Sequence, residues 1–258
     1  MGGALADAVG FKAVFYIVSV VYFVGALAVL FFVKENFSRA PREQMPTLGG
    51  MWNLAKSKSL LPLLIVLCVL TIGPSMMQPV IPLFIQQLTT KDAATSSGLA
   101  FSLMGVVASL SAIVAGRMGG RISLKKMMVF ACVGTGLLYL PPLLASNIGQ
   151  FIALMSLRGL FNGGIMVPSN SLIALSVSET QQGMAYGLQQ SANSLGSGLG
   201  PILGGTLASA LGLKVVFPVA AGIFVLAGVA VWKLLPELTT QGQPPGVKPA
   251  QPGFIQPH

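Results

Sequence analysis

Residues 204–217 read GGTLASALGLKVVF and repeat residues 2–15, GGALADAVGFKAVF, at an offset of 202 positions. The two stretches are identical at 9 of 14 positions. Each leads into an apolar segment and then a glutamate, Glu35 or Glu237, again 202 residues apart. A duplicated apolar unit of about 200 residues is typical of transporters that are built from two related halves.

The first copy of the repeat has almost nothing in front of it. The second copy follows Gly200-Pro201-Ile202-Leu203, whereas the first follows Met1 alone. We therefore expect the chain to start inside a helix and to lack most of its first half.

The composition indicates an integral membrane protein. Hydrophobic residues make up 53% of the 258 positions and charged residues only 8%, against about 25% charged residues in an ordinary soluble domain. Because an isolated helix satisfies its own backbone hydrogen bonds in lipid, we predict an all-α fold with seven transmembrane helices. The predicted spans are 13–33, 60–85, 96–116, 127–145, 150–174, 183–211 and 215–235.

The basic residues lie mostly on one side of the predicted membrane. Eleven Lys and Arg fall in the loop 34–58, the loop 117–126 and the C-terminal end, and three fall on the other side. The richer side is expected to be cytoplasmic, which places the C-terminus there. This distribution explains the net charge of +9 without nucleic acid as a partner, and the bilayer is the expected surroundings.

Residues for catalysis or metal binding do not cluster. Cys68 and Cys132 fall in apolar runs and are expected to be buried small hydrophobes, and the single histidine is His258. No nucleophile, base and orienting group occur together. We expect no metal, no cofactor and no enzymatic activity.

The sixth span carries a periodic set of glycines. Gly196, Gly200 and Gly204 recur at i, i+4 spacing and would line one helix face, where small residues let two membrane helices pack closely. The full stretch resembles the antiporter motif of the major facilitator superfamily, G-x8-G-x3-G-P-x2-G-G, at every position. A helix contact with no further role is the alternative. The matching residues are Gly187, Gly196, Gly200, Pro201, Gly204 and Gly205.

Two further stretches resemble motifs of the same superfamily. Gly116, Arg121 and Lys125 fit its cytoplasmic loop motif, although Gly120 stands where the family has Asp and Ser123 where it has Gly. This loop either gates the transporter or only orients it in the membrane.

Arg158 is the only charge placed deep in a predicted span, so it should face the protein interior or a water-filled cavity. The stretch after Arg158 resembles the family motif R-x-x-q-G-x-g, but Asn162 is displaced by one position from the family's Gln. The family places the functional copy in another helix. Arg158 therefore either contacts substrate or a coupling ion, or it caps carbonyls or pairs structurally.

Polar residues inside spans mark a candidate substrate path. Any one of them can instead be a hydrogen-bonding contact between helices. No Asp or Glu lies inside a span, so a proton-coupling carboxylate is expected outside this chain. The candidate cavity residues are Gln78, Asn162, Asn170, Gln189, Asn193 and Ser197.

The resemblance covers residues 1–237 and implies a twelve-helix drug:proton antiporter of the bacterial inner membrane. Its substrates would be small amphipathic compounds, exchanged for protons. The implied division is a remnant of the N-terminal bundle at 1–35, a cytoplasmic linker at 36–58, a complete C-terminal six-helix bundle at 59–237 and a disordered cytoplasmic tail at 238–258. Two alternatives stay open: a carrier for a sugar or organic acid, or a truncated membrane protein that does not transport.

Overall fold

The computed structural model describes residues 10–32, 48–88 and 93–235. Within these ranges the protein forms nine α-helices and no strand. The helices are α1 (Phe11–Phe32), α2 (Leu48–Ala55), α3 (Leu60–Leu88), α4 (Ala93–Met118), α5 (Leu124–Leu138), α6 (Ile148–Leu157), α7 (Gly159–Ser176), α8 (Gln182–Leu211) and α9 (Leu213–Leu234).

The helices confirm an all-α membrane fold and place the spans within a few residues of their predicted bounds. Among the described residues, six segments are long and apolar enough to cross a bilayer. The remaining predicted span, 183–211, is the 30-residue helix α8, which contains many Gly, Ser, Asn and Gln residues and is less apolar. The predicted count of seven is therefore approximate. The six segments are Lys12–Phe31, Leu60–Leu88, Thr95–Met118, Leu124–Leu144, Ile148–Ser176 and Leu213–Leu234.

Two of the spans are interrupted helices. α5 ends at Leu138 and continues as a short 3₁₀ turn, Pro141–Leu144, because two successive prolines cannot donate the backbone hydrogen bonds of an α-helix. The predicted span 150–174 consists of α6 and α7, which are separated only by Arg158.

Helix α3 lies at the centre of the bundle. It packs most extensively on α8 and also on α9, while α4 packs on α7, and α5 packs on both α7 and α9. Near one end of the bundle, Phe84 of α3 contacts Phe151 of α6 and Phe217 of α9, with ring centroids 5.0 and 5.4 Å away. These rings fill the core between three helices.

Helix α1 is strongly apolar, and most of its described side chains are exposed; Phe15, for example, is 72% exposed. A helix of this kind is stable with lipid or another apolar surface around it. The stub at 1–9, most of the linker at 36–58 and the tail at 238–258 lie outside the described residues. The linker's described part includes the short helix α2, whose exposed Trp52 lies beneath Lys56, with the Lys56 Nζ 4.5 Å from the ring centroid.

Candidate functional site

A cavity of about 520 Å³ lies near the middle of the bundle. Its volume is in the range of small-molecule sites, which are mostly apolar with a few polar groups. Six helices contribute to its wall: α3, α4, α5, α7, α8 and α9. Its apolar lining includes Leu67, Leu70, Phe101, Met104, Ile165, Met166 and Phe224.

Arg158 reaches this cavity from the junction of α6 and α7. The backbone there tightens locally: the Arg158 N–H donates to the Met155 carbonyl at 3.3 Å, and the Phe161 N–H donates to the Arg158 carbonyl at 3.2 Å. Such 3₁₀-type bonds within a longer helix often mark a functional position. The irregular turn thus holds the buried Arg158.

Helix α4 lies close against this junction. A Cβ at Gly159 would lie 2.6 Å from the Met104 carbonyl oxygen and 2.9 Å from the Ala108 nitrogen, so only glycine fits. Ser111 of α4 also bridges to α7, because its hydroxyl donates to the Leu160 carbonyl and accepts from the Gly163 N–H at 3.2 Å. These contacts fix the position of Arg158 along the axis of α4.

Arg158 is 8% exposed, and its guanidinium has only weak partners. Nη1 donates to the Met155 Sδ and Nη2 to the Met104 Sδ, both at 3.7 Å. Cζ lies 4.1 Å from the centroid of the Tyr139 ring, a cation–π contact. Within the described part of the chain, Nε has no hydrogen-bond partner, and no carbonyl or carboxylate pairs with Arg158.

Four of the six candidate cavity residues line the cavity: Asn162, Asn170, Gln189 and Asn193. The Gln189 Nε2 donates to the Asn170 Oδ1 at 3.0 Å and so joins α8 to α7. The other two, Gln78 and Ser197, are exposed and do not line this cavity.

Thr135 and Tyr139 line the cavity and are absent from the set drawn from the sequence. Both side chains are buried, and within the described ranges neither hydroxyl has a hydrogen-bond partner. Thr135 and Tyr139 are four residues apart in one apolar span, and residues at this spacing share a helix face. This spacing could have predicted that the two hydroxyls lie on the same side of the helix. Tyr139 also packs on Phe224, with ring centroids 5.5 Å apart.

The glycine motif of α8 divides into two groups. Gly196, Gly200 and Gly204 are buried against α3. A Cβ at Gly196 would lie 2.8 Å from the Thr71 Oγ1, one at Gly200 3.0 Å from the Met76 nitrogen, and one at Gly204 2.9 Å from the Met76 Cα. A Cβ added at Gly187 or Gly205 would meet open space. The partly buried Pro201 follows Gly200 within the same helix.

The loop motif lies between α4 and α5. Gly116 and Arg121 are exposed. The Lys125 Nζ lies 5.3 Å from the centroid of the Trp232 ring in α9. Because Lys125 lies in the first turn of α5 and Trp232 in the last turn of α9, this contact places the loop and the end of α9 on the same side of the bundle.

Metal-ligating residues do not gather in the described ranges: no group of three or more His, Cys, Asp or Glu is present there. Cys132 is buried and Cys68 half-buried, and neither is in a disulfide. The chemistry that the site offers is therefore recognition by one cation, amide groups, hydroxyls and apolar walls.

Known proteins are similar to this chain over most of its length. Residues 63–257 match the Major Facilitator Superfamily. The multidrug resistance protein MdtG of Salmonella arizonae is 27% identical over 237 residues, which cover 91% of this chain and 59% of that protein. MdtG of Salmonella paratyphi B and of Salmonella newport match to the same extent. The chain thus spans about three fifths of the length of these relatives. With three quarters of its length matched and a multi-pass helical structure, the chain belongs to the major facilitator superfamily.

Proposed function

We propose that this chain is the C-terminal part of a drug:proton antiporter that exports small amphipathic compounds across the bacterial inner membrane. The observation that carries the proposal is the mid-bundle cavity with apolar walls and a few polar groups, in a chain similar to multidrug resistance proteins. Major facilitator carriers work by rocking two bundles about a shared central site. Residues 59–237 would be one of the two bundles, and residues 1–35 would belong to the other.

The packing of α8 on α3 supports a rigid half-cavity. Glycines at three successive turns bring the two backbones together, so that α8 cannot rotate freely against α3. Asn193 and Gln189 on α8 are then held at the cavity wall. A wall that moves as one body is what a rocking mechanism needs.

Proton coupling would require a carboxylate or imidazole. Among the described residues, those that line this cavity include no Asp, Glu or His. The coupling carboxylate would therefore belong to the other bundle. With the basic residues of 34–58, 117–126 and the C-terminal end on the cytoplasmic side, the C-terminus would also be cytoplasmic.

The test is efflux of the neutral dye N-phenyl-1-naphthylamine from bacteria that lack their own major efflux pumps and express the open reading frame containing this chain. We expect less dye accumulation than with an empty vector, and loss of the difference when a protonophore collapses the gradient. The control variant is Gly205→Ala. Its added methyl group meets open space within the glycine motif, so cells that express this variant should export the dye normally.

Accumulation equal to that of the vector control would contradict export. Export that survives the protonophore would contradict proton antiport while leaving export intact. Greater accumulation than in the control would indicate uptake, as expected of a nutrient carrier.

A further inference from the structure

The cavity contains a buried positive charge with no negative partner among the described residues. Of the described residues that line it, Arg158 is the only charged one, and it is more than nine-tenths buried. Burying an unpaired charge is costly, and buried charges in proteins are normally paired. A guanidinium in this state is chemically suited to pair with an anion.

The contacts of Arg158 orient the guanidinium without neutralising it. Tyr139 covers one of its faces, and the sulfur atoms of Met155 and Met104 approach its two terminal nitrogens. A thioether is only a weak acceptor, so these bonds leave most of the donor capacity unused. The Nε takes part in neither of these hydrogen bonds and has no partner among the described residues.

Two further donors accompany the guanidinium. The hydroxyls of Thr135 and Tyr139 belong to the same lining, and each is buried without a partner in the described part of the chain. Buried polar groups are nearly always hydrogen-bonded, and exceptions need an explanation. A carboxylate accepts up to about four hydrogen bonds and pairs with Arg through two of them. It can therefore accept from the donors of Arg158, Thr135 and Tyr139 that have no partner in the described part of the chain.

We propose that the cavity selects amphipathic substrates with an anionic head group and that Arg158 binds that group. The aromatic or aliphatic body of the substrate would lie against Phe101, Met166 and Phe224. This inference rests on the proposed transport function and adds the substrate class to it. A carboxylate from another part of the protein that docks on Arg158 is the competing explanation, and the test separates the two.

The test uses three naphthalene compounds that share a ring and differ in charge: 1-naphthaleneacetate, its neutral amide 1-naphthaleneacetamide, and the cation 1-naphthalenemethylamine. Binding to the purified protein in detergent micelles at neutral pH is measured with radiolabelled 1-naphthaleneacetate and by competition with the other two. Because hydrogen bonds to charged groups are the strong ones, we expect the anion to bind roughly tenfold to a hundredfold more tightly than the amide. Arg158→Gln should abolish this preference and leave the affinity for the amide unchanged.

Two variants keep the result interpretable. Arg121→Gln removes one positive charge from the exposed loop and should retain the preference for the anion. Arg158→Lys keeps the charge and should retain part of the preference, even if Arg158→Gln fails to fold.

Three outcomes would overturn the proposal: equal binding of the anion and the amide, tighter binding of the amine, or a preference for the anion that survives Arg158→Gln. An internal carboxylate on Arg158 would produce the first of these. Dye efflux distinguishes this failure from failure of the transport function, because the neutral dye would still be exported when only the head-group selectivity is wrong.

Discussion

At the scale of single residues, burial of Arg158 is offset by weak contacts. Placing an arginine at the centre of a membrane helix costs about 2.5–3.5 kcal/mol on insertion scales. Stacking of a cation on a desolvated aromatic ring contributes about 2 kcal/mol in the favourable direction. The Tyr139 ring, at 4.1 Å, supplies this term, and the two methionine sulfurs add a little more. The site tolerates the cation but does not neutralise it.

Tyr139→Phe separates the role of the ring from that of the hydroxyl. The ring under Arg158 remains, while a buried hydroxyl without a partner is removed. We expect the free energy of unfolding to stay the same or to rise by about 1 kcal/mol, since an unsatisfied buried polar group is destabilising. Thermal unfolding in detergent micelles measures this change. The control is Tyr139→Ala, which removes the ring and should be destabilising by about 3–5 kcal/mol. Equal losses for the two variants would show that the hydroxyl has a partner.

At the scale of helices, the glycines of α8 act through the distance between two backbones. Gly196, Gly200 and Gly204 lie one turn apart and touch the backbone or Cβ atoms of α3 at successive turns. Neither α3 nor α8 can retreat without opening the contact along its whole length. The same motif contains Gly187 and Gly205, which contact nothing at the position of a side chain. Membership of the motif therefore does not determine how a glycine packs.

Gly200→Ala and Gly205→Ala form a matched pair for this argument. The first places a methyl group within 3.0 Å of the Ile72 carbonyl oxygen and the Met76 nitrogen. We expect a loss of about 1–3 kcal/mol in stability from overpacking. The second meets open space, and replacing Gly by Ala inside a helix should be neutral or stabilising by up to about 1 kcal/mol. The midpoint of thermal unfolding compares the two variants. If both lower the midpoint equally, the close contact between α3 and α8 is not what requires glycine.

At the scale of the whole molecule, the helices form a bundle whose two ends differ. One end has the aromatic cluster of Phe84, Phe151 and Phe217. The other end carries the basic loop between α4 and α5, with Lys125 on Trp232. Phe84 near the end of α3 contacts Phe217 near the start of α9, so α3 starts where α9 ends. Lys56 and Lys58, just before α3, therefore lie at the same end as Lys125. This asymmetry is what orients a membrane protein.

Cysteine labelling tests the orientation. In a variant with Cys68 and Cys132 replaced by alanine, Lys126→Cys and Ser146→Cys are introduced one at a time; both positions are exposed. With an impermeant maleimide on intact spheroplasts, we expect labelling at position 146, and labelling at position 126 only after the membrane is permeabilised. The reverse pattern would place the basic loop outside the cell and contradict the proposed orientation.

The length and order of the helices followed from the sequence because the rule behind them is local. An apolar run of about 20 residues spans a bilayer wherever it occurs. The predicted span 60–85 corresponds to α3, and the predicted span 215–235 to α9. The close approach of α8 to another helix was likewise indicated by glycine spacing alone. The interior position of Arg158 was indicated by the presence of a charge deep in an apolar span. The glycine motif also led to the superfamily, which the family match confirms.

Only the tertiary structure shows that the glycine face of α8 packs on α3. It also decides which polar residues line the same cavity. Gln78 and Asn170 are both amide side chains inside predicted spans, yet only Asn170 lines the cavity. The difference arises from the rotation of each helix about its own axis, which the packing of neighbouring helices determines. The stacking of Tyr139 on Arg158 joins positions from α5's end and the α6–α7 junction, and no local pattern encodes such a contact. The sequence by itself therefore determined the membrane class, the helices and the family, whereas only the three-dimensional packing decided which side chains form the site.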